Sequence, residues 1–152
     1  MVLIDIGFGD RGGPLAPTSL YGAGRKLLVA EDDDEMRSLL ACTLRHDGFQ
    51  IIEARNGLEL VDHLTAWLGG QEPSPVDLIV TDIQMPCCTG MDVLAELSGI
   101  RSRPPVVLIT AFGDPRTHAA AAALGAAAVL DKPFDIDELR VVLFRILQDS
   151  AH

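Results

Sequence analysis

The sequence predicts a doubly wound α/β sandwich: a five-stranded parallel sheet in the order 2-1-3-4-5, with five helices divided between its faces. Two observations predict it. From Lys26 onward short apolar runs alternate with helical stripes, strand then helix, five times over. Parallel neighbours need crossover connections, and right-handed crossovers put the helices on both faces of the sheet. The size agrees, since 152 residues at 48% hydrophobic composition suit one core and little else. Residues 1–24 stand apart. They hold six of the fourteen glycines plus Pro14 and Pro17 without a sustained period, and read as a flexible tail ahead of a domain over 25–152.

The elements follow in order. Leu27 to Ala30 is a buried first strand. The helix after it carries Met36, Leu39, Leu40 and Leu44 at i, i+3, i+4 and i+8 and stops at Gly48. Phe49 to Glu53 is the second strand; its end, Glu53-Ala54-Arg55, reads as surface. Asn56 can cap a helix with Leu60, Val61, Leu64 and Leu68 on one face, ended by Gly69-Gly70. Val76 to Thr81 is the third strand, and a loop through Met85-Pro86 leads to a helix over Met91 to Leu97. Pro105 to Ile109 is the fourth strand. Pro115 suits the first turn of the next helix, Ala119 to Ala123 propagate it and Gly125 stops it. Ala127 to Leu130 is a weaker fifth strand. Asp135 caps a last helix with Leu139, Val142, Leu143, Ile146 and Leu147 on one face. Only Ser150 to His152 follow, so no appended effector domain is expected in this chain.

In open α/β sheets ligands bind beyond the carboxyl ends of the strands, where the strand order reverses. Polar residues stand at those ends: Glu31 and Asp32 after the first strand, Asp82 after the third, Thr110 at the fourth, and Lys132 with Pro133 at the fifth. Strands one and three are neighbours about 4.8 Å apart, so three carboxylates converge. Two like charges at 4 Å repel by about 4 kcal/mol at an effective dielectric near 20, and the cluster calls for a cation or raised pKa values. An oxygen-only set without His or Cys suits Mg²⁺ rather than Ca²⁺, for which the EF-hand pattern is missing. Thr110 lies one strand from Asp82 and needs only a short hydroxyl. Lys132 lies about 10 Å away, two strands over, and needs a long stem. A carboxylate beside a divalent cation, a hydroxyl and an ammonium can act as nucleophile toward a phosphoryl group, giving an aspartyl phosphate on Asp82.

Charge limits the alternatives. The net charge is −10, from 12 Lys+Arg against 22 Asp+Glu, and Glu31 to Glu35 supply five of the ten surplus negatives. Nucleic-acid affinity rests on basic residues releasing counterions, so neither DNA nor an anionic membrane surface is an expected partner. Asp33, Asp34 and Glu35 are assigned to the start of the first helix, whose positive end favours them. Cys42 stands alone, and Cys87 and Cys88 are adjacent, a spacing that resists bridging. No zinc spacing joins them to His46, His63, His118 or His152. With no secretory n-region and no apolar run near the roughly 20 residues of a membrane helix, a cytoplasmic protein is expected. Trp67 reads as packing, and His63 and His118 as surface.

With these residues in place, the chain resembles the receiver domain of bacterial two-component response regulators, a flavodoxin-like fold. The matching pieces are Leu27 to Asp33 with Met36-Arg37, Asp77 to Pro86 with Gly90, Thr110-Ala111, and Lys132-Pro133-Phe134. The resemblance runs from about Lys26 to Gln148, and Lys132 to Arg140 is similar to single-domain phosphorelay receivers. The resemblance implies Asp82 as phosphoacceptor, Glu31 and Asp32 as Mg²⁺ ligands with Asp82, and Gln84 contributing its backbone carbonyl. It further implies that Thr110 binds the phosphoryl oxygen, that Lys132 pairs with it, and that a cis peptide precedes Pro133. The phosphoryl donor would be a sensor histidine kinase or a histidine phosphotransfer protein, with a downstream protein target; a homodimer is left open. Two positions depart from the family pattern. Cys87-Cys88-Thr89 replaces the acidic residue usual before the loop glycine. Val129 stands where an aromatic or His usually swings inward, so activation is expected to rely on the Thr110 loop and the fourth helix.

A stand-alone phosphoacceptor, a signalling module rather than an enzyme, is therefore the expected function. The alternative keeps the fold as a scaffold that binds partners without phosphorylation, and Val129 supports it. A haloacid-dehalogenase-type phosphatase also uses an Asp nucleophile but expects a second acid where Gln84 stands. A nucleotide-binding enzyme lacks its glycine-rich loop after the first strand, and no nucleophile–base pair suggests a Ser or Cys hydrolase.

Overall fold

The computed structural model describes residues 24–68, 76–86, 88–100 and 103–150. The expected tail apart from Gly24, the Gly69-Gly70 stop, Cys87 and His152, and the side chain of Trp67, lie outside the described residues. Five strands and five helices alternate: β1 (Lys26–Ala30), α1 (Asp34–His46), β2 (Gln50–Ala54), α2 (Gly57–Leu68), β3 (Leu78–Asp82), α3 (Gly90–Leu97), β4 (Val106–Thr110), α4 (Pro115–Ala123), β5 (Ala128–Asp131) and α5 (Ile136–Ser150). The strands form one parallel sheet in the order β2-β1-β3-β4-β5. The doubly wound sheet follows from the alternation of elements, and its strand order is the flavodoxin-like one that the family resemblance implies.

Alternate residues along each strand point to opposite faces, and the core divides accordingly. Leu28, Ala30, Ile79 and Leu108 pack with Leu60 and Leu64 of α2, Val93, Leu94 and Leu97 of α3, and Ala121 of α4. On the other face Leu27, Val29, Leu78, Val80, Val107 and Ile109 pack with Leu40 and Leu44 of α1 and Leu139, Leu143 and Leu147 of α5. The central strands β3 and β4 are buried along their whole length, which is why they read as unbroken apolar runs.

Helix ends follow the local chemistry. Asp33 caps α1 by accepting from the amides of Glu35 and Met36, and Asp114 caps α4 by accepting from Thr117 N, with Pro115 in its first turn. Asn56 Oδ1 accepts from Glu59 N at 2.9 Å, and Thr89 and Asp92 form a reciprocal capping box on α3. Gly48 and Gly125 follow α1 and α4 at φ of 102° and 90°, a left-handed conformation that accommodates glycine at little cost.

Two expectations about burial need correction. Leu39 is 55% exposed; the buried stripe of α1 is Arg37, Leu40, Ala41 and Leu44. The apolar periodicity was compatible with either rotation of the helix, and polar partners for Arg37 select the one that turns Leu39 outward. Ala54, expected at the surface, is fully buried, because β2 continues in register with β1 as far as Ala30↔Ala54. The peptide before Pro133 is cis. Among the described residues no helix is long and apolar enough to cross a membrane.

Candidate functional site

Strand register assembles the site. β1 ends at Ala30 opposite Thr81, and β3 runs one residue further to Asp82, opposite Ile109 of β4. Asp82 therefore lies one row beyond β1, level with the turn that begins at Glu31. That turn is anchored by Glu31 N donating to Ala54 O at 3.1 Å. β4 runs one row further again, to Thr110 opposite Asp131, and Lys132 N donates to Thr110 O at 2.7 Å. Gly90, at the start of α3, sits so close to Asp82 that a Cβ there would lie 2.6 Å from the Asp82 carbonyl oxygen. Any side chain at that position would push the helix off the strand end.

The side chains at these strand ends converge. Lys132 Nζ donates to Asp82 Oδ2 at 2.8 Å and to Glu31 Oε1 at 2.9 Å. Glu31 Oε2 accepts from Asp33 N, and Asp82 Oδ1 accepts from Gln84 N at 3.0 Å. Thr110 Oγ1 accepts from Phe112 N at 3.0 Å and donates to Gln84 Oε1 at 3.3 Å. Glu31, Asp82 and Thr110 are buried and Lys132 is half-buried, whereas Asp32 is exposed. Gln84, anticipated only for its backbone carbonyl, also engages Thr110 through its side chain. One carboxylate oxygen from each of Glu31, Asp32 and Asp82 lies within 4.8 Å of the others.

Three carboxylates and one ammonium leave the site short of positive charge. Burial pushes the Glu31 carboxyl from its ordinary 4.5 up to about 7, and the nearby Asp82 charge adds to the rise, against the lowering by Lys132 and Asp33 N–H. Burial also works to lower the Lys132 ammonium, but its hydrogen bonds to Asp82 and Glu31 outweigh this and raise it. Lys132 is thus firmly protonated. Oxygen donors alone, two of them buried and one open to water, suit a hard divalent cation that keeps part of its hydration shell, as Mg²⁺ does. The residues fit that ion.

Some participants were not anticipated. The sequence marks Arg37 only as part of a motif and Glu53 as surface. Arg37 Nη1 donates to Glu31 O at 2.9 Å, Nη2 to Asp34 Oδ1 at 2.6 Å and Nε to Glu53 Oε1 at 3.3 Å. The available signal was an arginine three residues after Asp34, one helical turn on. His118, expected at the surface, is half-buried, with Nε2 2.9 Å from Asp131 Oδ1, so it ties α4 to the end of β5. His63 is exposed as expected. Val129 packs against the core on the α2–α3–α4 face. Cys42 is exposed, Cys88 half-buried, and both are free thiols.

A parallel sheet with an acidic pocket and a lysine at its carboxyl edge defines a class of phosphoacceptor domains, and comparison with known proteins agrees. The family model for the response regulator receiver domain matches residues 27–144. The chain belongs to the response regulator receiver family. It is 34% identical over 123 residues to the regulatory protein AtoC of Escherichia coli, a match covering 81% of this chain but spanning only 25% of AtoC. It is 32% identical over 115 residues to sporulation initiation phosphotransferase F of Bacillus subtilis, covering 76% of this chain and 87% of that protein. Among solved structures, response regulator protein TrrA from Thermotoga maritima, in complex with Mg²⁺-BeF, superposes with a TM-score of 0.65 at 29% identity, over 80% of this chain and 98% of that one. Receiver domains accept phosphoryl groups in two-component signalling and interact with histidine kinases or phosphotransfer proteins.

Proposed function

We propose that this chain is a receiver that takes a phosphoryl group from a phosphohistidine onto Asp82 in a Mg²⁺-dependent reaction. The observation that carries the reading is the placement of the Asp82 carboxylate, with Lys132 on one side, Glu31 behind that lysine, and the Thr110 hydroxyl linked through Gln84 on the other. An Asp82 oxygen attacks phosphorus as the N–P bond to the donor histidine breaks, and the donor leaves as neutral imidazole after taking up a proton. Lys132, already protonated, pairs with the arriving phosphoryl oxygens. Thr110 exchanges its Gln84 contact for one of them. Gln84 N–H and Lys132 each hold one Asp82 oxygen, so the carboxylate is oriented before the donor arrives. Glu31, Asp32, Asp82 and the Gln84 carbonyl would hold Mg²⁺, which neutralises charge on the transferring group. The Mg²⁺-BeF complex of TrrA supports the cation assignment by likeness.

The reading as a receiver that works without its own effector domain rests on likeness to sporulation initiation phosphotransferase F, most of whose length is matched. AtoC, matched over a quarter of its length, points the other way. The phosphoryl group would then pass to a histidine phosphotransfer protein, or the phosphorylated α4 side would bind a protein target. The net negative charge favours a protein target over DNA. A scaffold that acts without phosphorylation is the second reading. Val129 favours it, since no aromatic side chain is available there to follow Thr110 inward.

The test is to incubate the protein with Mg²⁺ and acetyl phosphate, or with a phosphorylated histidine kinase. A base-labile phosphoryl adduct is expected with wild type and none with Asp82→Asn. No adduct from any donor would leave the scaffold reading standing, and multiple turnover of small phosphate esters would indicate a phosphatase.

A further inference from the structure

We propose that Arg37 is the positioning residue of the cation-binding turn: its guanidinium fixes the Glu31–Asp32 peptide, and with it the directions in which both acidic side chains leave the chain. The proposal rests on the Mg²⁺ reading above for its ligand, and on its own geometry for the rest. Arg37 is 8% exposed, an unusual place for a guanidinium, and it sits on the first turn of α1 against the turn it contacts. Nη1 donates to the carbonyl oxygen of Glu31 at 2.9 Å, which is the oxygen of the peptide that joins Glu31 to Asp32. The N–H of Glu31 is held by Ala54 O. Both backbone polar groups of Glu31 are therefore tied, one to the neighbouring strand and one to Arg37.

The other two contacts of Arg37 hold the guanidinium in plane. Nη2 donates to Asp34 Oδ1 at 2.6 Å and Nε to Glu53 Oε1 at 3.3 Å, while Arg45 Nη2 pairs with Glu53 Oε2 at 3.2 Å. Glu53 thus braces Arg37 from β2 and is itself braced from α1. The Glu31 side chain has Lys132 and Asp33 N to orient it. Asp32 has neither. It is exposed and has no ion-pair partner among the described residues, so the peptide that Arg37 holds is what aims it. A planar fork with donors on separate nitrogens can grip three oxygens from three segments; a lysine ammonium, a point charge on a flexible stem, cannot reproduce that. This geometry also explains why α1 turns Leu39 outward and Arg37 inward.

Charge and geometry make opposite predictions, which is what makes the proposal testable. Removing a positive charge from an acidic turn would by Coulomb attraction alone tighten Mg²⁺ binding. Loss of positioning weakens it, in the range of about 10-fold that residues behind metal ligands command. The experiment is a calorimetric Mg²⁺ titration of the full chain as wild type, Arg37→Lys and Arg37→Met, beside hydrogen exchange at the Asp32 and Asp33 amides without divalent cation.

Arg37→Lys keeps the charge and the aliphatic stem. We expect it to fold, to bind Mg²⁺ about 10-fold more weakly and to exchange the two amides faster; Arg37→Met should bind more weakly as well. Wild-type affinity in Arg37→Lys, or tighter binding in Arg37→Met, would overturn the proposal, as would a lower melting temperature with affinity and exchange unchanged. If wild type binds no Mg²⁺, the cation reading fails. The positioning role is then decided by amide exchange alone, with unchanged exchange in Arg37→Lys counting against it. Should Arg37→Met not fold, Arg37→Lys carries the test.

Discussion

Lys132 Nζ stands between two carboxylates whose side chains are 1% and 4% exposed. Breaking a fully buried ion pair by removing one partner costs about 3–5 kcal/mol. Lys132 itself keeps 23% of its side-chain surface, so water softens the loss. Lys132→Met is predicted to lower stability by about 2 kcal/mol in urea unfolding at neutral pH without divalent cations. A change within about 0.5 kcal/mol, the ordinary surface range, would mean that the lysine does not neutralise the pair. At this scale the sequence was legible wherever a residue's position followed from a strand end. Glu31, Asp82, Thr110 and Lys132 each follow an apolar run, and parallel strands bring such ends to one edge. Arg37, Glu53 and His118 were not legible, because their contacts depend on which way a helix is rotated and how far a long side chain reaches. Apolar periodicity does not set either quantity to the nearest residue.

The elements show the same division. Ten segments were readable from alternating periods, but their ends shifted by a residue or two. Val76 and Asp77 precede β3 rather than belonging to it, and Asp82, Thr110 and Asp131 complete their strands. Strand ends are set by the ladder with the neighbour, as in Thr110↔Asp131, and not by where apolar residues stop. Helix phase in α1 gives a direct check. Leu40 is 1% exposed and Leu39 is 55% exposed. Leu40→Ala is predicted to cost about 2–5 kcal/mol through lost burial and a cavity, while Leu39→Gln should fall within about 0.5 kcal/mol of wild type. Chemical denaturation of the two variants measures both; equal losses would contradict the helix rotation described. In α4, Ala121 is the only side chain that is fully buried, and His118 adds an exposed contact to Asp131 at the end of β5.

For the whole molecule, the −10 charge is concentrated where the sheet presents its carboxyl edge. Five consecutive acids divide into two that face the pocket, Glu31 and Asp32, and three that start α1. The fold brings Asp82 to the first two and supplies one lysine, which leaves repulsion in the folded state that the unfolded chain does not feel. Mg²⁺ is therefore predicted to stabilise the protein by about 2.7 kcal/mol at a hundredfold excess over its Kd, seen as a rise of several degrees in Tm. Na⁺ at matched ionic strength should not reproduce the rise; an unchanged Tm at saturating Mg²⁺ would count against the cation site. Most of the architecture was readable in advance because both faces of the sheet are covered by amphipathic helices, and that pattern leaves a strong periodic trace.

Asp82 is proposed to carry the phosphoryl group. The most direct measurement is to phosphorylate the protein with acetyl phosphate and Mg²⁺, reduce the acyl phosphate with borohydride, and locate the resulting homoserine by peptide sequencing. Homoserine is expected at position 82 alone, with its loss in Asp82→Asn. Homoserine at another acid, or none under conditions that modify a known receiver, would contradict it.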